Sequence, residues 1–183
     1  VNIPPVVAQT PYQVRFGRGP GALDDVARHA DVVIWVDALP TLVHTSFEPT
    51  VVPTIEGLPV IHADLRTRSQ AADWMLDQQV QAGVRVSVAV IAAHDSTEDT
   101  LAAGAVIDAL AARGIDFSSP EAAVACASFT ALERAVGHLF TASVSGRELI
   151  AAGHADVVGA ASDVDAGVAG APSGIDCQPP VVA

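Results

Sequence analysis

The chain contains no lysine: all nine of its basic residues are arginine, set against 21 acidic ones. That absence excludes a P-loop lysine, a Schiff-base lysine and a Ser-Lys dyad. It also excludes cysteine hydrolases of the isochorismatase type, which need a catalytic lysine. An anion held by a side-chain cation must here be held by Arg or His. Aromatic residues are only 4%, so the core has to be built from Ala, Val, Leu and Ile. The two cysteines, Cys126 and Cys177, form neither a Cys-x-x-Cys pair nor a zinc spacing. A reduced setting fits them, with a single disulfide left open. The longest apolar run, Val84 to Ala93, contains Arg85 and Ser87 and is too short to span a bilayer. Val1-Asn2-Ile3-Pro4-Pro5 lacks the basic region and apolar run of a signal peptide. The expectation is a cytoplasmic protein with no membrane segment. A formal charge of −12 disfavours nucleic acid and anionic lipid as partners.

What is present suits one globular domain. The chain has 183 residues, half of them hydrophobic, which supplies a core and rules out global disorder. Residues 1–163 read as a single α/β domain and 164–183 as an extended Gly/Pro-rich C-terminal tail. That tail is mobile unless a neighbouring subunit fixes it, which leaves room for a homodimer. Tyr12, Val14 and Phe16 alternate with Gln13 and Arg15, the pattern of a half-buried strand. Val32 to Val36 is continuously apolar, as a central parallel strand is, and Val84 to Ile91 reads as the second buried strand. Pro59 to His62 reads as a further strand. Between Ala38 and Gly57 lies a long loop with a short strand at Val51-Val52.

Helix signals punctuate the rest. Ser69 is placed to cap a helix ending before Gly83, and Asp95 and Glu98 have capping-box spacing at the start of another. Ser119-Pro120-Glu121 opens a third, with proline in the first turn. Leu139 to Ser143 reads as a short strand. Ser145-Gly146-Arg147-Glu148 has the form of a second capping box, and a last helix covers Ala155 to Ser162. Strands alternating with helices predict a three-layer α/β/α sandwich with a mostly parallel sheet.

In such sheets ligands bind beyond the carboxyl ends of the strands. Asp37 stands at one such end, placed to hold a hard cation such as Mg²⁺ or to cap the following loop. Glu98 and Asp99 fall on the same side and could complete a carboxylate site for metal; acids in a helix's first turn also stabilise it without a ligand. Ser145, Gly146 and Arg147 combine a close backbone approach, helix N–H groups and a bidentate donor, which suits an anion. The plain alternative is a cap with a surface arginine. Arg66 and Arg68 follow a strand and could also reach an anion, or lie in a solvated loop. Of six scattered histidines, His94 and His62 end strands and could act as acid or base. No Gly-x-Ser-x-Gly elbow is present.

Three segments together resemble the 2-phosphosulfolactate phosphatases. The first runs from Tyr12-Gln13-Val14-Arg15-Phe16 and its Gly-rich turn to Val32-Val33-Ile34-Trp35-Val36-Asp37-Ala38-Leu39. The second is Glu98-Asp99-Thr100-Leu101-Ala102-Ala103-Gly104-Ala105. The third is Ser145-Gly146-Arg147-Glu148-Leu149-Ile150, with Gly153 and Asp156-Val157 downstream. The resemblance implies an α/β/α sandwich and Mg²⁺-dependent hydrolysis of a phosphorylated sulfo- or hydroxycarboxylic acid. Asp37, Glu98 and Asp99 would hold the metal, with His94 beside them as a candidate base. Ser145, Gly146 and Arg147, with Arg66, would hold the small anionic substrate. The chain lacks the family's Gly-Glu-Arg, Gly-Asn-Ser-Pro and Thr-Asn-Gly-Thr motifs and its glycine-rich insertion before the Pro59 strand. The alternative is therefore a catalytically inactive member that binds an anionic metabolite or a protein partner.

Overall fold

A computed structural model describes residues 6–43, 46–48 and 50–167. The N-terminal Val1 to Pro5, the stretch 168–183 and Cys177 within it lie outside the described residues. The elements run, in chain order, β1 (Val14–Arg18), α1 (Gly21–Asp25), β2 (Val32–Val36), β3 (Leu42–Val43), β4 (Ser46–Phe47) and β5 (Val60–Ala63). They continue with α2 (Arg68–Ala82), β6 (Val88–Ala92), α3 (Thr97–Ala111), α4 (Pro120–Leu132), α5 (Val136–Ala142), α6 (Val144–Ala151) and α7 (Ala155–Ala161).

Four strands form an all-parallel sheet in the order β1-β6-β2-β5, with Val32 to Val36 level with Val88 to Ala92. The run Val32 to Val36 and the second expected strand are thus the two inner strands, buried on both faces; the second begins at Val88 and not at Val84, with Arg85 and Ser87 standing before it. Alternation divides their side chains. Val32, Ile34, Val36, Val88, Val90 and Ala92 face the main core, where α2, α3 and α4 supply Met75, Leu101, Val106, Leu110 and Phe129. Val33, Trp35, Ala89 and Ile91 face the other way, onto Ala22 and Val26. The architecture is an α/β sandwich whose second helical layer is thin. There α1 has five residues, and Val52, Ile55 and Leu58 of the long loop help to cover the sheet. Among the described residues no helix is long and apolar enough to cross a membrane.

Two close approaches set the packing. An added Cβ on Gly17 would stand 2.4 Å from the Ala22 Cβ, so α1 lies almost on β1. On Gly104 it would stand 2.2 Å from the Ala125 carbonyl oxygen, so α3 and α4 meet backbone to backbone.

Several local readings are corrected. The β1 face bearing Gln13 and Arg15 is not open: the two residues are 6% and 4% exposed. The Arg15 guanidinium donates to the carbonyls of Tyr12, Thr10 and His29, which satisfies it inside the fold. Burial lowers its pKa, opposed by the Asp31 charge. Val51-Val52 is not a strand; the short ladder lies earlier, between β3 and β4. Leu139 to Ser143 is not a strand either. Val136 and Phe140, four apart, are buried on one face of α5, and Ser143 begins the next helix. The caps also shift. Ser96, not Asp95, accepts the Asp99 N–H at 3.1 Å, and Ser143, not Ser145, accepts the Gly146 N–H at 3.0 Å. Ser119 caps α4 as expected, accepting from Ala122 N, with proline following it.

Ser69 does not cap α2 either; it lies inside the helix, and the N-cap residue Thr67 makes no side-chain cap bond. The missing acceptor comes from Asp165, which takes the Ser69 N–H at 3.1 Å and Arg68 Nε at 2.9 Å. The Asp165 and Gly167 amides donate to the carbonyls of Leu65 and Arg66. Residues 164–167, read from sequence as the start of the tail, are thereby tied to the start of α2.

Candidate functional site

Parallel strands place all their carboxyl ends at one edge, and β2 and β6 are neighbours there. Asp37 follows β2 directly, and its N–H donates to Ala63 O of β5 at 3.3 Å. Ala93 and His94 follow β6, and Ser96 then starts α3. The short β6–α3 connection brings the first turn of α3 back over the end of β2.

Asp99 joins these pieces. Its Oδ1 accepts the Ala38 N–H at 2.8 Å and its Oδ2 accepts the His94 N–H at 3.0 Å. The His94 Nδ1 also lies 3.0 Å from Oδ2. One carboxylate, 2% exposed, thus fixes the loops after both central strands. Burial pushes the Asp99 carboxyl above the ordinary value of 3.8. The Ala38 N–H opposes that shift, the Asp37 charge adds to it, and His94 opposes it by hydrogen bond and charge.

Asp37 carries the clearest anomaly. Its Oδ1 is buried and has no hydrogen-bond partner among the described residues. Buried polar atoms are normally paired, so this one is an acceptor awaiting a donor or a cation. Asp37, His94 and Asp99 offer one ligand atom each, all within 4.8 Å of one another. Asp99 Oδ1 accepts a single N–H and has a lone pair left, so the backbone straps do not exhaust the carboxylate. The donor set fits a divalent cation, and the imidazole suits Mn²⁺ or another first-row ion as well as Mg²⁺.

Glu98, expected as the third metal ligand, is not one of that group. Adjacent helix residues point about 100° apart. Asp99 turns to the strand loops, and Glu98 lines a cleft of about 100 Å³ beside them. Glu98 is 3% exposed, and no hydrogen bond or ion pair links it to another described residue. The helix dipole is worth ~0.3–1 kcal/mol to a surface acid in the first turn. That effect gives no reason to bury the side chain and turn its carboxylate into a cleft, so capping alone does not account for Glu98.

The far wall of the cleft is α6, through Ser145, Glu148 and Leu149, and the loop after β2 closes it with Leu39 and Leu42. Ser145 and Glu148 are three apart and share a helix face. Glu148 is the lining residue that the sequence reading missed; the i,i+3 spacing from Ser145 was its one signal. Gly146 and Arg147 do not line the cleft. An added Cβ on Gly146 would meet the Phe140 carbonyl oxygen at 1.9 Å, so α5 occupies that side. Arg147 is exposed and reaches back to Ser143 O at 3.4 Å. Arg66 is half-buried outside the cleft, its Nε without a partner among the described residues, and His62 Nε2 lies 3.2 Å from the Asp37 carbonyl oxygen. No arginine lines the cleft; among the described residues its charged lining is Glu98, Asp99, Glu148 and His94.

A pH dependence follows from Asp99. Its folded pKa is raised, so in the cation-free protein its contribution to stability is fully present below the ordinary Asp value. It is lost as pH rises through the raised value. Urea midpoints across that window are expected to fall more steeply for wild type than for Asp99→Asn. Identical slopes would mean that Asp99 titrates as in the unfolded chain.

No family model matches this chain, and no curated protein matches it.

Proposed function

We propose that Asp37, His94 and Asp99 form a divalent-cation site at the edge of the cleft, where the protein hydrolyses the phosphate ester of a small carboxylic acid, of the phosphorylated sulfo- or hydroxy-acid kind. The observation that carries the reading is the buried, unpartnered Asp37 Oδ1, within 4.8 Å of donor atoms from His94 and Asp99. Asp37, His94 and Asp99 are the residues placed to hold the ion. When bound, the cation neutralises phosphate charge and polarises the ester. In the overall step a water oxygen bonds to phosphorus, the ester P–O bond breaks, and the water's proton passes to the leaving oxygen. Asp99 keeps the loops bearing Asp37 and His94 in register, so the donors need not reorganise.

The non-catalytic alternative, a binder of an anionic metabolite, is the weaker reading. Among the described residues three acids and no arginine line the cleft, so an anion without a cation beside it meets repulsion from each charged residue except His94.

The test is phosphate release from a panel of phosphorylated carboxylic acids, phosphosulfolactate included, with Mg²⁺, with Mn²⁺ and with EDTA. Turnover that requires the ion is expected. A folded sample that binds Mn²⁺ yet releases no phosphate would leave a cation site without this activity.

A further inference from the structure

The proposed metal donors leave one group in the cleft unexplained. Glu98 is the most thoroughly buried acid there after Asp99, yet unlike Asp99 its carboxylate receives no N–H from the described residues. Its side chain is buried along its length and its carboxylate opens only into the cleft, so a donor for it has to come from what the cleft holds. The surroundings narrow the ligand's chemistry. Leu39, Leu42 and Leu149 form the apolar walls, and Ser145 and Glu148 stand on the facing helix. Among the described lining residues a further anionic substituent has only His94 to turn to, because all nine arginines lie outside the cleft. A compact group with several N–H donors and a positive charge would satisfy Glu98 and fit a cleft of about 100 Å³.

We infer that Glu98 receives a primary ammonium group of the substrate, so that among phosphate esters the site prefers those that also carry an amine, amino-bearing hydroxy acids and amino alcohols, over their amine-free counterparts. This inference rests on the reading of the cleft as a cation-assisted phosphate-ester site and specifies the end of the substrate that does not react. The ester is held at the Asp37, His94 and Asp99 side, and the ammonium lies against Glu98. Glu98 binds and orients, and the bond that breaks is elsewhere.

The probes are O-phosphoethanolamine and 2-hydroxyethyl phosphate, which differ only in an ammonium against a hydroxyl. Their dissociation constants are measured by calorimetry on the full chain, with and without Mn²⁺. Wild type is expected to bind the amine at least ~10-fold more tightly, as for a charge-assisted hydrogen bond formed out of water. Glu98→Gln keeps the shape and is expected to bring the two probes within ~2-fold of each other, with Mn²⁺ affinity unchanged. Equal binding of the probes by wild type would overturn the inference without any variant. So would a preference that survives in Glu98→Gln, or loss of one equivalent of bound Mn²⁺ on that substitution, which would make Glu98 a metal ligand. If wild type binds no Mn²⁺, the metal reading fails, and the metal-free comparison still decides the role of Glu98.

Discussion

Asp37→Asn is expected to weaken Mn²⁺ binding by at least ~100-fold, beyond the 10–100-fold typical of losing a group that only supports a ligand. Phosphate release should fall with it. The same substitution is expected to raise, not lower, the thermal midpoint of the cation-free protein. Two features require this. The Asp37 Oδ1 is buried without a partner, and a neutral amide there is less costly than a carboxylate. The Asp37 charge also helps hold the neighbouring Asp99 carboxyl above its ordinary range, so its removal relieves a repulsion. Loss of binding together with a gain in stability is the signature of a group kept for function. A variant that loses stability along with Mn²⁺ affinity would make Asp37 a structural residue and leave the cleft without its cation. Calorimetric titration with Mn²⁺ and thermal melts in EDTA separate the two outcomes.

The edge of the sheet where this chemistry sits was legible because parallel strands share an end. Two apolar runs, one followed by Asp37 and the other by His94, place both residues on the same rim whatever the strand order. The helix stop at Gly83 was legible too, since that glycine adopts positive φ. Side-chain direction was not. Glu98 and Asp99 are neighbours in sequence, and a rotation of about 100° sends one into the cleft and the other onto two backbone amides. Sequence spacing treats them as a pair. The burial of Arg15 was hidden for a related reason. Strand alternation reports which residues share a face and does not say that α1 and the segment before β1 cover the second face. Leu139 to Ser143 misled because a short apolar run fits strand and helix alike. The decisive partner, Val136, lies outside it.

Gly104→Ala and Gly146→Ala are expected to be the most destabilising single-methyl additions in the described structure. Overpacking a core usually costs about 1–3 kcal/mol. Here the new methyl would meet a backbone carbonyl, 2.2 Å away on Ala125 or 1.9 Å away on Phe140, and no side chain can rotate aside. A loss of at least ~3 kcal/mol is expected for each, or roughly 6–12 °C in melting temperature for a chain of this size. Gly159→Ala is the matched control. It lies inside α7 with nothing within 4 Å of the added Cβ, so the gain in helix propensity should stabilise by ~0.5–1 kcal/mol. The contrast also separates two meanings of the Ser145-Gly146-Arg147 turn. A glycine kept for an anion's approach would tolerate a methyl in the ligand-free protein and lose only binding. A glycine kept because α6 crosses the last turns of α5 loses the fold first, before any ligand is added. Melts of the cation-free variants decide between them, and a Gly146→Ala protein as stable as wild type would return that turn to the ligand.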